Sequence, residues 1–250
     1  MAENIIKADE RVVSVKVTGD YACFTRPDLK VERLSYPCMT PSAARGILDS
    51  ILWKPEFRWY VRRIKILNPV RFVTVKRNEI NSKQSKTPII IEEKRAQRNS
   101  VVLRDVAYII EASIYLSNQS ERNSIEKYVG TSPGRNGIFP RRVKKGQCWR
   151  RPFFGTREFS AEFMEPDGAE EPIKETIPIG SMLFDIFYDQ NGKPEPIFFH
   201  DVVIRNGILD CEVPENIKTL GSSHLRPAAD SEVSAAIYEF NRLEEEVAGS

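Results

Sequence analysis

Residues 40–55 read TPSAARGILDSILWKP, a helix with its own start and stop signals, and the runs on either side of it alternate apolar and polar residues at period two. A short helix between strands of this kind belongs to a mixed α and β architecture. Thr40 is positioned to cap the N terminus, and Pro41 holds the first helical position, where a missing N–H costs nothing. Ile47, Leu48, Ile51 and Leu52 form an apolar stripe, and Pro55 ends the helix. Upstream, RVVSVKVTGD (11–20) predicts a half-buried strand closing at Gly19-Asp20. Downstream, FRWYVRRIKIL (57–67) and VRFVTVKR (70–77) predict two strands separated by Asn68-Pro69 that pair antiparallel. RDVAYIIEASIYLS (104–117) predicts a fourth strand and SNQSERNSIEKYVG (117–130) a short second helix.

This β-α-β-β-(α)-β order is the one a ferredoxin-like fold requires, with helices on one face of an antiparallel sheet and the other face open, as in RNA-recognition-motif domains. Residues 78–103 exceed an ordinary connection and predict a mobile inserted hairpin. In the last third, strands at 178–188 and 196–205 around Gln190-Asn191-Gly192-Lys193, with a short one at 208–213, predict a small antiparallel sheet. SEVSAAIYEFNRLEEEV (231–247) predicts an amphipathic helix through Val233, Ile237 and Phe240. The expected class is α+β: a ferredoxin-like, RRM-like domain over 1–160 with its hairpin, then a small C-terminal antiparallel β subdomain with a terminal helix over 161–250.

A net charge of +2 conceals a strong asymmetry: residues 1–157 carry 31 Lys/Arg against 15 Asp/Glu, and residues 158–250 carry 6 against 20. Residues 127–157 hold nine Lys/Arg and no acid. Like charges so crowded repel unless something negative lies against them, and the first suspect is a phosphate backbone. Within RRVKKGQCWRRPFFG, the cations Arg141, Arg142, Lys144, Lys145, Arg150 and Arg151, with Arg157 just beyond, are candidate phosphate ligands. Trp149 is a candidate stacking surface, and Phe153-Phe154 reads as core packing. Arg26, Lys30, Arg33 and Arg45 surround a proline-punctuated loop and the helix start at Thr40–Ala43, which is suited to a phosphate; Arg26 and Arg33 equally suit pairing with Asp28 and Glu32.

Cys23, Cys38, Cys148 and Cys211 lie far apart without a C-x-x-C pair, so neither a zinc knuckle nor a disulfide framework is implied. No apolar leader follows Met1, and no run approaches the roughly 18 apolar residues of a membrane span. A cytoplasmic protein without membrane contact is expected. The basic region contains no carboxylate cluster able to hold Mg²⁺, so no metal and no cofactor is expected. His200 and His224 are the two histidines, and His200 reads as a half-buried strand residue.

GDYACFTRPDLKVERLSYPCMTPSAARGILDSILWKP (19–55) closely resembles the start of the CRISPR-associated protein family five, subtype I-C (the Dvulg type), in the RAMP superfamily. RRVKKGQCWRRPFFGTREF (141–159) resembles that family's second signature. The resemblance implies binding of a CRISPR repeat hairpin, one metal-independent cut of pre-crRNA at its 3′ side, and retention of the crRNA 5′ handle among the other subunits of a type I-C Cascade complex. Such a cut needs a base for the 2′-OH, cations around the phosphorane and an acid for the leaving 5′-oxygen, and it yields a 2′,3′-cyclic phosphate. The resemblance places an aromatic or imidazole side chain just before the W-K-P and a Lys-His pair upstream of the F-x-R-R. Here Leu52 precedes Trp53-Lys54-Pro55, and the pair is Lys127-Tyr128, or Arg135-Asn136 in a second register. Lys127 is the candidate phosphorane stabiliser, Tyr128 the candidate base, and Tyr21 and Tyr36 are alternative phenols. A noncatalytic 5′-handle-binding subunit is the alternative of a different class.

Overall fold

The computed structural model describes residues 11–29, 31–54, 57–82, 85–86, 88–116, 122–130, 137–188 and 194–212. In chain order the elements are β1 (Val13–Ala22), α1 (Pro41–Ile51), β2 (Phe57–Ile66), β3 (Phe72–Ile80), α2 (Ile91–Lys94), β4 (Arg95–Leu116), α3 (Arg122–Val129), α4 (Ile138–Lys144), β5 (Glu162–Met164), β6 (Ile177–Tyr188), β7 (Pro194–Ile204) and β8 (Ile208–Asp210). The main sheet runs β5-β1-β4-β2-β8 with antiparallel neighbours, and β6 and β7 form a second, two-stranded sheet. Alternation does what it predicts in β1, where Val13, Val15 and Val17 are buried and Ser14 faces water.

The helix forms as its sequence dictates. Thr40 Oγ1 accepts the Ala43 N–H at 3.2 Å, and Pro41 opens the first turn. Ala44, Ile47, Leu48 and Ile51 are buried at helical spacing, and this face packs on β2 and β6.

The two strands after α1 do not pair with each other. Both pair with β4, a strand of 22 residues: β2 lies along residues 108–116 and β3 along 95–103. Because β1 shares Leu103 with β3 and Ala112 with β2, both must occupy the opposite edge of β4 from β1. They are one long strand path interrupted at Asn68-Pro69, and Asp105 on β4 answers the break with φ 53° and a carbonyl that accepts from Asn68 Nδ2 at 2.8 Å. The segment expected as an inserted hairpin is thus the outward continuation of β2 and β4 as a regular ribbon, closed by α2. Its β3 half has no fully buried residue.

A second departure concerns β8. Rather than joining the small sheet, it pairs with β2, because the turn at Arg205–Ile208, with Asn206 and Gly207 both at positive φ, redirects the chain onto the main sheet. The main sheet therefore takes strands from both sides of residue 160. The predicted helix at 231–247, together with His224, lies outside the described residues. His200 is exposed rather than half-buried, with Nδ1 2.9 Å from Ser181 Oγ. Among the described residues no helix is long and apolar enough to cross a membrane.

The second sheet is fastened to α1 through charge. Asp185 on β6 accepts from Arg45 Nε and Nη2 at 2.8 and 2.7 Å, from Arg58 Nη2 at 2.8 Å and from the Ile186 N–H at 2.8 Å. Arg45 also reaches Asp49 one turn along α1 at 2.9 Å. Burial works against the Arg45 charge, but Asp185 and Asp49 outweigh it and raise its pKa.

Candidate nucleic-acid interface

The last four carbonyls of a helix have no partner within it. At the end of α1 each finds one elsewhere: Asp49 O accepts from Trp149 Nε1 at 2.7 Å, Ser50 O from the Trp149 N–H at 3.1 Å, Ile51 O from Arg142 Nη1 at 2.6 Å, and Leu52 O from Trp59 Nε1 at 2.8 Å. Residues 142–150 are thereby seated on the end of the helix from 41–51, and the two motif-bearing segments become one surface. Trp149 remains 62% exposed despite both bonds, and Trp53, just past the helix, is 57% exposed.

Behind this surface runs a line of rings. Tyr128 lies 5.0 Å from Phe57, Phe57 5.3 Å from Trp59, and Trp59 4.7 Å from Phe139, joining α3, β2 and α4. This spine brings Lys127 on α3 to the same end of the sheet as Leu52, Lys54 and the α4 cations. It also buries Tyr128 to 3% exposure, and Leu52 is fully enclosed. Tyr128 is thus a core residue, poorly placed to act as a base. Lys127 is its exposed neighbour, with Nζ 5.6 Å from the Tyr128 ring centroid, while Glu126 meets Arg11 at 3.4 Å.

Tyr21 is 38% exposed, but it lies opposite Arg104 on β4, whereas Phe57 beside Tyr128 lies opposite Leu116. Twelve residues of strand, on the order of 40 Å at about 3.3 Å each, separate those positions, so Tyr21 and Lys127 do not share a cleft. Tyr36 is buried beneath the Arg26 guanidinium.

The predicted phosphate ligands divide by whether an acid holds them. Arg45 is committed to Asp185 and Asp49, Arg26 to Asp28 at 2.9 Å, and Arg151 to Glu162. Arg33 reaches Glu79 on β3 at 3.8 Å rather than the neighbouring Glu32. Among the described residues Arg141, Arg142, Lys144, Lys145, Arg150 and Arg157 have no carboxylate partner, nor do Lys54 and Lys127. Lys30 and Arg135 lie outside the described residues.

A cleft of about 310 Å³ continues this surface along α1, lined by Thr25, Thr40, Ser42, Gly46, Ser50, Arg150, Phe153 and Leu183 among others. Both signature segments contribute to it. Phe154 is buried as read from the sequence, but Phe153 is only half-buried and faces the cleft. Ser50 is its hinge pin, its Oγ donating to Gly46 O at 2.7 Å and accepting from Arg150 Nε at 3.3 Å. Gly155 closes the loop below it at φ +80°, where a Cβ would stand 1.9 Å from Cys23 O. Sequence reasoning missed Trp53, Lys54 and Phe153 as surface groups. The signal for the first two was their position just beyond the last apolar residue of the helix stripe.

This fold is similar to that of solved proteins. One, described as a CRISPR-associated protein, superposes with a TM-score of 0.56 at 23% identity, covering 81% of this chain and 92% of its own. A second, the functionally uncharacterized protein SMU1763c from Streptococcus mutans, gives 0.55 at 23% identity over 82% and 93%. The Cas5d family model, CRISPR-associated protein (Cas_Cas5), matches residues 12–221, and the chain belongs to that family. A CRISPR pre-crRNA endoribonuclease Cas5d from Thermus thermophilus is 43% identical over 219 residues, 81% of this chain and 91% of its own. The protein of the same name from Mannheimia succiniciproducens is 37% identical over 220 residues, 79% and 93%.

Proposed function

We propose that this chain is a metal-independent endoribonuclease that binds the CRISPR repeat hairpin, cuts pre-crRNA at its 3′ side and keeps the crRNA 5′ handle within a type I-C surveillance complex in the cytoplasm. The observation that carries the reading is the set of acid-free cations and two exposed tryptophans gathered at the C-terminal end of α1. Phosphates supply the missing counter-charge and unpaired bases supply planes for the indoles. Two relatives named as pre-crRNA endoribonucleases, each matching about four fifths of the chain, support the reaction class. The ferredoxin-like reading is supported by the order β5-β1-β4-β2, the 4-1-3-2 arrangement of that fold if β2 and β3 are counted as one long strand. We read residues 1–160, completed by β5 and β8, as the RNA-handling unit and β6–β7 as the core of the C-terminal β subdomain.

In the cut, Lys127 steadies the charge of the phosphorane while Arg141, Arg142, Lys144 and Lys145 hold flanking phosphates. A noncatalytic handle-binding subunit is the second reading, favoured by one observation: Leu52 and Tyr128, at the positions where the resemblance puts reacting side chains, are both buried. Incubating the chain with its repeat RNA in EDTA separates the two. Product ending in a 2′,3′-cyclic phosphate, lost in Lys127→Ala with affinity retained, is the expected result. Tight binding with intact RNA would replace the first reading by the second.

A further inference from the structure

Gly46 occupies the middle of α1, where glycine weakens a helix relative to alanine. Packing does not require it, since a Cβ built there meets nothing within 4 Å. What the missing side chain does is leave the floor of the cleft bare. The space above it, about 310 Å³, sits at the lower end of the roughly 300–1,000 Å³ usual for small-molecule sites, room for one nucleotide and not two.

The walls differ in chemistry. Phe153 and Leu183 are apolar, and Thr25 and Ser42 bring hydroxyls. Arg150 stands on a third side, unmatched by any acid among the described residues and braced in place. Its Nε bonds Ser50 Oγ, and its guanidinium carbon lies 5.0 Å from the Trp149 ring centroid and 5.9 Å from that of Phe153. A nucleobase has flat faces that suit an aromatic wall and a polar edge that suits hydroxyls, and its phosphate suits a fixed guanidinium.

We propose that the cleft receives a single nucleotide turned out of the stack of the bound RNA, its base along Phe153 above Gly46 and its phosphate at Arg150. The inference rests on the RNA-binding reading above. It is tested with repeat RNAs carrying 2-aminopurine at one position each, bound to the wild-type chain and to Gly46→Leu, whose side chain fills the cleft. One position brightens on binding wild type, that signal is absent in Gly46→Leu, and affinity falls roughly 5- to 150-fold, as loss of one stacked base predicts. Should Gly46→Leu melt below wild type, Ser42→Phe blocks the same space from the first turn of α1 and repeats the measurement. Equal affinity and an unchanged signal in the blocked variant overturn the nucleotide site while leaving RNA binding intact. Failure of the wild-type chain to bind the RNA overturns both readings.

Discussion

Replacing Asp185 by alanine removes the acceptor of two guanidiniums at once. The carboxylate is 9% exposed, Arg45 24% and Arg58 33%, so water replaces the missing bonds incompletely at Arg45 and more fully at Arg58. Stripping one partner from a buried ion pair costs about 3–5 kcal/mol. Because Asp49 still holds Arg45, the lower end applies, about 3 kcal/mol, which in a chain of this size lowers the melting temperature by about 6–12 °C.

The same site gives a pH signature. Burial would raise the Asp185 pKa, but Arg45 and Arg58 override it and hold the group below its ordinary value. Its stabilisation is therefore complete above the unfolded value of about 3.9 and is lost as the pH falls through the native pKa. Asp49 behaves oppositely: burial outweighs Arg45 and raises its pKa, so it takes up a proton first on acidification and opposes the loss. Thermal melts of wild type and Asp185→Ala from pH 7 to pH 3 should diverge most at neutral pH and converge toward pH 3. A variant that melts within a degree of wild type at pH 7, or a gap that widens in acid, refutes the reasoning.

Gly155→Ala should cost at least about 2 kcal/mol, since φ +80° and a Cβ 1.9 Å from Cys23 O both forbid a side chain; chemical denaturation measures it. Thr40→Ala removes the cap bond to the Ala43 N–H and should cost about 1 kcal/mol by the same method. Arg141, Lys144 and Lys145 changed together to alanine should flatten the plot of log affinity against log salt by roughly 0.7–0.9 for each phosphate no longer neutralised, whereas Arg151→Ala, whose charge is already met by Glu162, should change it little.

The helix at 41–51 was legible because its signals are local: a cap, a proline and a stripe lie within a dozen residues. The length of β4 was not legible. Arg104-Asp105 breaks its apolar pattern where Asp105 takes φ 53°, and the half before it belongs to an exposed ribbon whose polar residues read as loop. The division of the cations into held and unheld was equally hidden, because Arg45 finds Asp185 140 positions away and Arg33 finds Glu79 on β3 rather than the Glu32 beside it. Lys127 and Tyr128, adjacent in sequence and still close in space, differ in burial, the lysine in water and the tyrosine packed on Phe57. Only the packing partner decides which of the two can meet a substrate.

Trp149 is bonded to the end of α1 twice, by its indole and by its amide. Its plane is set before any ligand arrives, so the entropy of arranging a contact there falls on the nucleic acid and not on the loop. Exchanging it for tyrosine or phenylalanine would keep a ring but release the orientation, and the weakening should appear in the dissociation rate more than in the rate of encounter.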